Sequence, residues 1–184
     1  MTFDDQELLQ KNPLLERVLI SSVDIQRRVK ELGNEISRDY RDSMPILVSI
    51  LKGSYIFLAD LTRCLSIQHE VDFMAVSSYE GGTQSTGVVK IEKDLKTNIT
   101  DRDIIIVEDI IDTGLTINHL MELLETRAPR SIRVAALLDK KPARTKHVDI
   151  NYCGFEIPKE FVVGYGLDYD EKYRHLPFIG ILKG

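Results

Sequence analysis

The chain has 184 residues, of which 43% are hydrophobic and 29% are charged, and its formal net charge is −5. This balance is typical of a soluble globular protein with a single domain. It excludes nucleic-acid binding as the main role, because no basic block stands out, and no apolar run approaches the roughly 20 residues of a membrane span.

The chain start and the cysteines predict a cytoplasmic protein. Residues 1–7 are acidic and polar, unlike a signal peptide. Cys64 and Cys153 are isolated, which fits reduced thiols in a cytoplasm. The histidines are scattered along the chain, so we do not expect a structural zinc site.

The first elements alternate between strand and helix. Residues 14–20 are mostly apolar and predict a short edge strand. A helix should begin at Ser22, with apolar residues at helical spacing, and should end near residues 40–43, before Pro45. Residues 46–51 form a short apolar run, typical of a strand buried on both faces of a parallel sheet.

A glycine turn follows this strand and precedes a second helix. The turn is Lys52-Gly53-Ser54, and the helix has Phe57, Leu58, Leu61 and Leu65 on one face. Taken alone, the turn is consistent with a simple strand-to-helix loop that carries an exposed lysine. It is also consistent with an anion site built from backbone amides and the Lys52 ammonium.

Residues 70–77 predict another strand, and a polar, glycine-rich stretch follows at 78–87. Such a stretch buries too little apolar surface to stay rigid. Its length suggests a lid that closes over a reactive intermediate and excludes water. Residues 88–91 are the expected return strand.

Residues 104–116 organise the chain. Four β-branched residues predict a buried strand, and three carboxylates follow at positions 108, 109 and 112, in what we expect to be an acidic turn. The small-residue loop 113–116 then leads into an amphipathic helix. Unpaired amides at a helix start, a glycine and two threonine hydroxyls can cradle a phosphate. The alternative is a threonine cap next to solvated acids.

The remaining elements complete a layered fold. Residues 132–138 predict a further strand, and 178–182 predict a short final one. Strands that alternate with helices predict an α/β fold, a mainly parallel twisted sheet with helices on both faces. Functional sites in such sheets lie at the carboxyl ends of the strands, where Lys52, residues 108–116 and Lys140 all occur. Phe161 belongs to an aromatic-rich segment, and from this pattern we expect it to be a core residue.

The motif at 104–116 resembles the 5-phosphoribosyl-1-pyrophosphate (PRPP) site of type I phosphoribosyltransferases. In the form Glu108-Asp109-Ile110-Ile111-Asp112-Thr113-Gly114 it is most similar to the purine salvage branch, the hypoxanthine-guanine phosphoribosyltransferases. Further matching segments lie near 51–54, 78–87 and 161–174, so the resemblance covers about residues 14–182. Two departures are Leu115, where some relatives carry lysine, and Asp139, where many carry an apolar residue.

The resemblance implies a role for each matching residue. Asp112 would be the general acid/base for the purine N7 proton. The ribose and 5-phosphate of PRPP would be bound by Glu108, Asp109, Asp112, Thr113, Gly114, Leu115 and Thr116. Pyrophosphate would be bound by Leu51, Lys52, Gly53 and Arg174. The purine would be bound by Lys140, Phe161, Val162 and Asp168. Mg²⁺ would be bound by Glu108, Asp109 and Asp168, and the lid would begin with Ser78 and Tyr79.

The implied activity is transfer of the phosphoribosyl group from PRPP to N9 of a 6-oxopurine, with release of pyrophosphate and a purine nucleotide. The implied assembly is a homodimer or homotetramer. The implied architecture is one domain over 1–184, with a core at about 22–150 and a hood over the base site from about 1–21 and 151–184. Two alternatives stay open: a PRPP-sensing regulator on the same fold, and transfer to another base such as xanthine, orotate or adenine.

Overall fold

The structure is a computed structural model, and it describes residues 4–78 and 89–183. Its helices are α1 (Asp5–Gln10), α2 (Ser22–Asp39), α3 (Tyr55–Cys64) and α4 (Leu115–Glu125). Its strands are β1 (Leu15–Ile20), β2 (Ile46–Leu51), β3 (Glu70–Ser78), β4 (Val89–Lys93), β5 (Asp103–Ile111), β6 (Ser131–Asp139), β7 (Tyr152–Glu156), β8 (Val162–Val163) and β9 (Ile179–Leu182). Among the described residues, no helix is both long enough and apolar enough to cross a membrane.

The main sheet has the strand order β4-β3-β2-β5-β6-β7. Every pairing in it is parallel except that of β3 with β4, which is antiparallel. Successive side chains of a strand point to opposite faces. Accordingly Ile105 and Val107 pack with α2 and α3 on one face, whereas Ile104 and Ile106 pack with α4 on the other. The predicted parallel sheet with helices on both faces is therefore confirmed.

A small antiparallel sheet joins the two ends of the chain, in the order β1-β9-β8. It includes the predicted strand at 14–20 and the predicted final strand, and β8 lies beside the larger of the cavities described below. The boundary expected near residue 150 stays a prediction about domain organisation. Strand β7 pairs with β6, so the main sheet continues to Glu156 before the chain enters the small sheet.

Two local predictions need correction. Residues Glu108 and Asp109 lie inside β5, not in a turn after it, because β5 stays paired with β6 as far as Ile111 and Asp139. Phe161 is not a core residue, since it is 55% exposed. Ser78 ends β3, while Tyr79 and the rest of the expected lid lie outside the described residues.

Candidate active site

Two neighbouring cavities open at the carboxyl ends of the parallel strands. The larger has a volume of about 570 Å³ and the smaller about 110 Å³. The larger is lined by residues at the carboxyl ends of β2, β5 and β6 and by the C-terminal segment, including Lys52, Asp109, Lys140, Phe161, Val162, Asp168 and Arg174. The smaller is lined by Glu108, Ile110, Ile111, Asp112, Thr113, Gly114, Thr116 and Ile117. Ile110 and Asp112 line both, so the cavities share a wall.

The smaller cavity is formed by the loop from β5 to α4. Gly114 precedes the helix with φ of +85°, a left-handed conformation that favours glycine. The first amides of a helix have no partner within it and lie at the positive end of its dipole. The Leu115 amide donates to the Thr113 hydroxyl at 3.3 Å. This arrangement can bind a phosphate group without any cationic side chain at Leu115.

The paired acids of β5 serve different cavities. Glu108 and Asp109 are neighbours on a strand, so their side chains point to opposite faces, and they line the smaller and the larger cavity respectively. Burial raises the pKa of Glu108 well above its usual value, and the nearby Asp109 adds to this. Burial also raises the pKa of Asp109 to about 6, although the Arg174 cation opposes this. Each is a carboxylate held in a site where a cation would stabilise its charge.

The turn after β2 packs directly against β5. A Cβ at Gly53 would lie 1.6 Å from Asp109 Oδ2, so a larger residue there would require the Asp109 side chain or the turn to shift. Gly166 in turn has φ of +103°, and a Cβ on it would lie 2.0 Å from the Gly53 carbonyl oxygen. The Leu51–Lys52 peptide bond is cis. Three separate segments therefore meet at the Gly53 backbone, which forms the floor of the larger cavity.

A chain of ion pairs lines the larger cavity. Lys52 Nζ lies 3.1 Å from Glu171 Oε1, and Arg174 lies 3.2 Å from the other oxygen of Glu171. Arg174 also lies 2.8 Å from Asp168 and donates to the Gly166 carbonyl oxygen at 2.8 Å. Its buried Nε has no partner in the described chain. Two cations of the cavity are thus partly neutralised by the protein's own carboxylates.

The opposite end of the larger cavity combines an ammonium, a carboxylate and an aromatic ring. Lys140 Nζ donates to Asp112 Oδ2 at 3.3 Å, and the Lys140 side chain is only 12% exposed. Phe161 exposes its ring, and Tyr169 meets it edge to face at 5.7 Å between centroids. Val162 is buried in β8 where it pairs with Ile181. This end can stack a planar ring and place a donor and a proton acceptor at its edge.

The acids of the site fit a metal ion that is brought by a substrate. Among the described residues, no group of three or more His, Cys, Asp and Glu side chains is arranged to hold a metal. Mg²⁺ usually takes one or two protein carboxylates together with substrate phosphates. Asp109 at the rim of the larger cavity, with Asp168 close enough to affect its pKa, meets that requirement.

The sequence predicted most of the residues that line the two cavities, but it did not predict others. Glu171 was not expected at the site, because an exposed acid in a polar turn carries no distinctive signal apart from its place three residues after Asp168. Ala75, Val76 and Glu92 of β3 and β4 also line the larger cavity. Arg144, whose contacts with the β5–α4 loop are described below, was missed because its partners lie about thirty positions away in sequence.

Comparison with known proteins gives a consistent result. The phosphoribosyl transferase domain family matches residues 21–170. Hypoxanthine-guanine phosphoribosyltransferase of Bacillus subtilis is 51% identical over 169 residues, covering 92% of this chain and 94% of that protein. The Mycobacterium avium protein of the same name is 51% identical over 91% of this chain and 86% of its own. A crystal structure of Staphylococcus aureus hypoxanthine phosphoribosyltransferase has a TM-score of 0.91 at 46% identity, covering 95% of each chain.

Proposed function

The chain belongs to the phosphoribosyltransferase family, and we propose that it transfers the 5-phosphoribosyl group of PRPP to N9 of a 6-oxopurine in purine salvage. The products are pyrophosphate and a purine nucleotide. The observation that carries the proposal is the shared wall of the two cavities. The smaller cavity can bind a phosphate, and the larger cavity can bind a planar base and an anion. They meet at Asp112, the one carboxylate that lines both among the described residues.

The smaller cavity is assigned to the 5-phosphate. Amides at the start of α4, together with Thr113 and Thr116 hydroxyls, donate to the phosphate oxygens, and Gly114 lets the backbone approach them. Leu115 contributes its backbone only. Glu108 and Asp109 bind the ribose hydroxyls, and their charge stabilises the positive charge that develops on the ribose as the bond to pyrophosphate breaks.

The ion-pair end of the larger cavity is assigned to pyrophosphate. Lys52 and Arg174 exchange the Glu171 carboxylate for pyrophosphate oxygens, while the backbone of Leu51 and Gly53 lies close enough to contact the ligand. Asp109, Asp168 and Glu108 are the residues that would hold Mg²⁺ together with the substrate, and the ion would supply charge neutralisation for the leaving group. The guanidinium of Arg174 fits two phosphate oxygens at once.

The other end is assigned to the purine. Phe161 stacks on the ring, and the backbone of Val162 hydrogen-bonds its edge. The Lys140 ammonium can only donate, so it favours a 6-keto oxygen and disfavours a 6-amino group. Asp112 accepts the N7 proton as N9 attacks the anomeric carbon, and its contact with Lys140 brings base selection and proton transfer to one place.

Substrate assays test this assignment. The protein is incubated with PRPP and Mg²⁺, and hypoxanthine, guanine, xanthine, adenine and orotate are offered separately while pyrophosphate and nucleotide are measured. Nucleotide should form with 6-oxopurines and not with adenine or orotate. A protein that binds PRPP but forms no nucleotide with any base would be a regulator. Nucleotide formed only with adenine or orotate would contradict the role of Lys140.

The remaining proposals concern the whole molecule. We propose that the chain acts as one domain, because both sheets contribute to the larger cavity. The lid that begins at Ser78 and Tyr79, a homodimeric or homotetrameric assembly, and a cytoplasmic location stay predictions from the sequence and the family. Sedimentation of the purified protein measures the assembly, and amide exchange of residues 78–87 with and without ligands tests the lid.

A further inference from the structure

A second segment lies behind the β5–α4 loop and binds its carbonyl oxygens. We call residues 144–147 the backing segment. Arg144 Nε donates to the Asp112 carbonyl at 2.9 Å, and Arg144 Nη2 donates to that of Ile111 at 3.2 Å. The amides of residues 145 and 146 donate to the Thr113 carbonyl at 2.9 and 3.0 Å. Three successive carbonyls, at the end of β5 and in the loop (111–113), are therefore held by this segment, and that of Ile111 also accepts from the Lys140 amide at 3.0 Å.

The direction of these carbonyls sets the direction of the amides. In a planar trans peptide the carbonyl of one residue and the N–H of the next point in opposite directions. Holding the carbonyls of residues 111–113 against the backing segment therefore turns the amides of residues 112–114 away from it. The smaller cavity is lined by these same residues. A carbonyl turned into that cavity would repel a phosphate instead of binding it.

Arg144 is itself held by a buried carboxylate. Asp139 is only 4% exposed, and its carboxylate pairs with the Arg144 guanidinium, whose side chain is 15% exposed. A buried charge is retained only when it is paired. Arg144 thus uses one guanidinium for the Asp139 carboxylate and for two loop carbonyls. Neither side chain lines either cavity in the described structure.

The loop and the backing segment also fit closely. A Cβ on Gly114 would lie 2.6 Å from the Lys146 carbonyl oxygen and 3.0 Å from Arg144 Cδ. Asn118 Nδ2 donates to the Gly114 carbonyl at 2.8 Å and to that of His147 at 3.0 Å, which joins α4 to the same segment. These contacts therefore couple the position of the loop to that of the backing segment.

We propose that Arg144, fixed by Asp139, is a positioning residue for the 5-phosphate site. It contacts no substrate and acts through the carbonyls of Ile111 and Asp112, which aim the loop amides at the phosphate. The same contacts fix the backbone that carries the Asp112 carboxylate. This inference rests on the proposed function, because it takes the smaller cavity to be the 5-phosphate site.

Separate binding of the two halves of PRPP tests the proposal. Ribose 5-phosphate and pyrophosphate with Mg²⁺ are titrated by calorimetry into the wild-type protein and into Arg144→Met. Loss of hydrogen bonds from a charged donor should weaken ribose 5-phosphate about tenfold, while the pyrophosphate affinity stays within about twofold. In assays, kcat/KM for PRPP should fall more than kcat/KM for the purine at saturating PRPP.

The matched control is Arg28→Met. Arg28 also binds two backbone carbonyls, of Gly154 at 3.2 Å and of Cys153 at 2.8 Å, and it pairs with two acids of α2, but it lies away from both cavities. This variant should lose some stability and keep both affinities. A loss of ribose 5-phosphate affinity in Arg28→Met equal to that in Arg144→Met would show a general structural effect and overturn the proposal.

Two further variants keep the test decisive if Arg144→Met fails to fold because Asp139 is left unpaired. Arg144→Lys keeps a cation for Asp139 but cannot reach both carbonyls, and it should weaken ribose 5-phosphate. The double variant D139N/R144M removes the buried charge together with the guanidinium, and it should show the same selective loss. Unchanged ribose 5-phosphate affinity in either folded variant, or equal loss for both ligands, overturns the proposal.

The outcome is distinguishable from failure of the proposed function. Ribose 5-phosphate binding is measured without turnover, so it reports on the cradle even if no base is accepted. A wild-type protein that makes nucleotide, together with an Arg144 variant that binds ribose 5-phosphate normally, would leave the function intact and remove the inference. A wild-type protein that binds neither ligand would contradict both.

Discussion

The smaller cavity and the larger cavity hold their polar groups by different means. In the smaller one, the loop carbonyls are bound by the backing segment, and the ligand would meet backbone amides that are already oriented. In the larger one, Lys52 and Arg174 are paired with Glu171 and Asp168, so an anionic ligand must replace a carboxylate. One site is therefore preorganised by hydrogen bonds to its backbone carbonyls, and the other holds its cations in ion pairs between side chains.

The two cavities should therefore respond differently to salt. A preorganised backbone site gives affinity through geometry, whereas exchange between side-chain ion pairs is weakened by ionic strength. Pyrophosphate can then dissociate readily, because Glu171 can pair again with Lys52 and Arg174 as pyrophosphate leaves. Five substitutions test this contrast between the cavities, in order of decreasing expected effect.

Asp112→Asn tests the wall that the cavities share, and it should have the largest effect. Turnover should fall about 100-fold or more, because the amide keeps the shape of the side chain but cannot accept the N7 proton. The apparent KM for PRPP should change little. Steady-state assays measure both, with the exposed Asp149→Asn as the control. Turnover close to wild type would exclude Asp112 as the base.

Gly53→Ala tests whether the larger cavity depends on close packing of the Gly53 backbone against Asp109. The added Cβ would lie 1.6 Å from Asp109 Oδ2, so the turn or Asp109 must shift. We expect the KM for PRPP to rise about tenfold or more. Gly154→Ala is the control, since its Cβ would crowd the Leu137 carbonyl at 2.3 Å away from both cavities. A normal KM in Gly53→Ala would show that the floor of the larger cavity adapts.

Lys140→Met tests base selection at the purine end of the larger cavity. Loss of the donor should lower kcat/KM for hypoxanthine about tenfold while leaving the poor reaction of adenine unchanged. Competition assays with both bases measure the ratio of kcat/KM for hypoxanthine to kcat/KM for adenine. Lys141→Met, which removes the exposed neighbour that pairs with Glu156, should leave the ratio unchanged. An unaltered ratio in Lys140→Met would place selection elsewhere.

Asp109→Asn tests the cost of building the larger cavity. The folded-state pKa of Asp109 is about 6, above the ordinary 3.8, so the folded state holds more protons between pH 4 and 6 and wild-type stability falls as pH rises through that window. In metal-free protein the variant should melt about 5 °C higher at pH 8 and show no advantage at pH 4. Thermal unfolding with a chelator measures this, and a variant less stable at pH 8 would refute it.

Glu171→Gln tests an ion-pair carboxylate of the larger cavity and should have the smallest effect. Without that charge, Lys52 loses its carboxylate partner and Arg174 keeps only Asp168, so the affinity for pyrophosphate should rise about two- to threefold at low salt. The affinity for ribose 5-phosphate should stay the same. Asp170→Asn removes a similar exposed pair with Lys172, outside the cavity, and is the control. Weaker pyrophosphate binding in Glu171→Gln would mean that Glu171 assists the ligand.

The two regions also differ in how far the sequence predicts them. The smaller cavity lies within one continuous motif, so its strand, loop and helix could be recognised from the local pattern. The apolar runs at 46–51 and 132–138 predicted the strands that lie beside β5. The extent of β5 could not be read locally, because pairing with β6 decides that Glu108 and Asp109 stay in the strand.

Contacts between segments that are distant in sequence explain what was missed. Glu171 is an ordinary exposed acid until folding brings Lys52 within 3.1 Å of it. Asp139 and Arg144 are polar residues near a strand end, and only the folded loop shows that the guanidinium binds carbonyls of Ile111 and Asp112. Local spacing carries no information about such contacts, whereas apolar periodicity does report which face of a strand is buried.

The balance of products from one reaction mixture tests the central claim most directly. Wild-type protein, PRPP, Mg²⁺ and hypoxanthine are combined, and nucleotide, pyrophosphate and ribose 5-phosphate are quantified together. The two-cavity account predicts equal amounts of nucleotide and pyrophosphate and no ribose 5-phosphate above the rate without protein. Release of ribose 5-phosphate and pyrophosphate without nucleotide, or no consumption of PRPP, would contradict it.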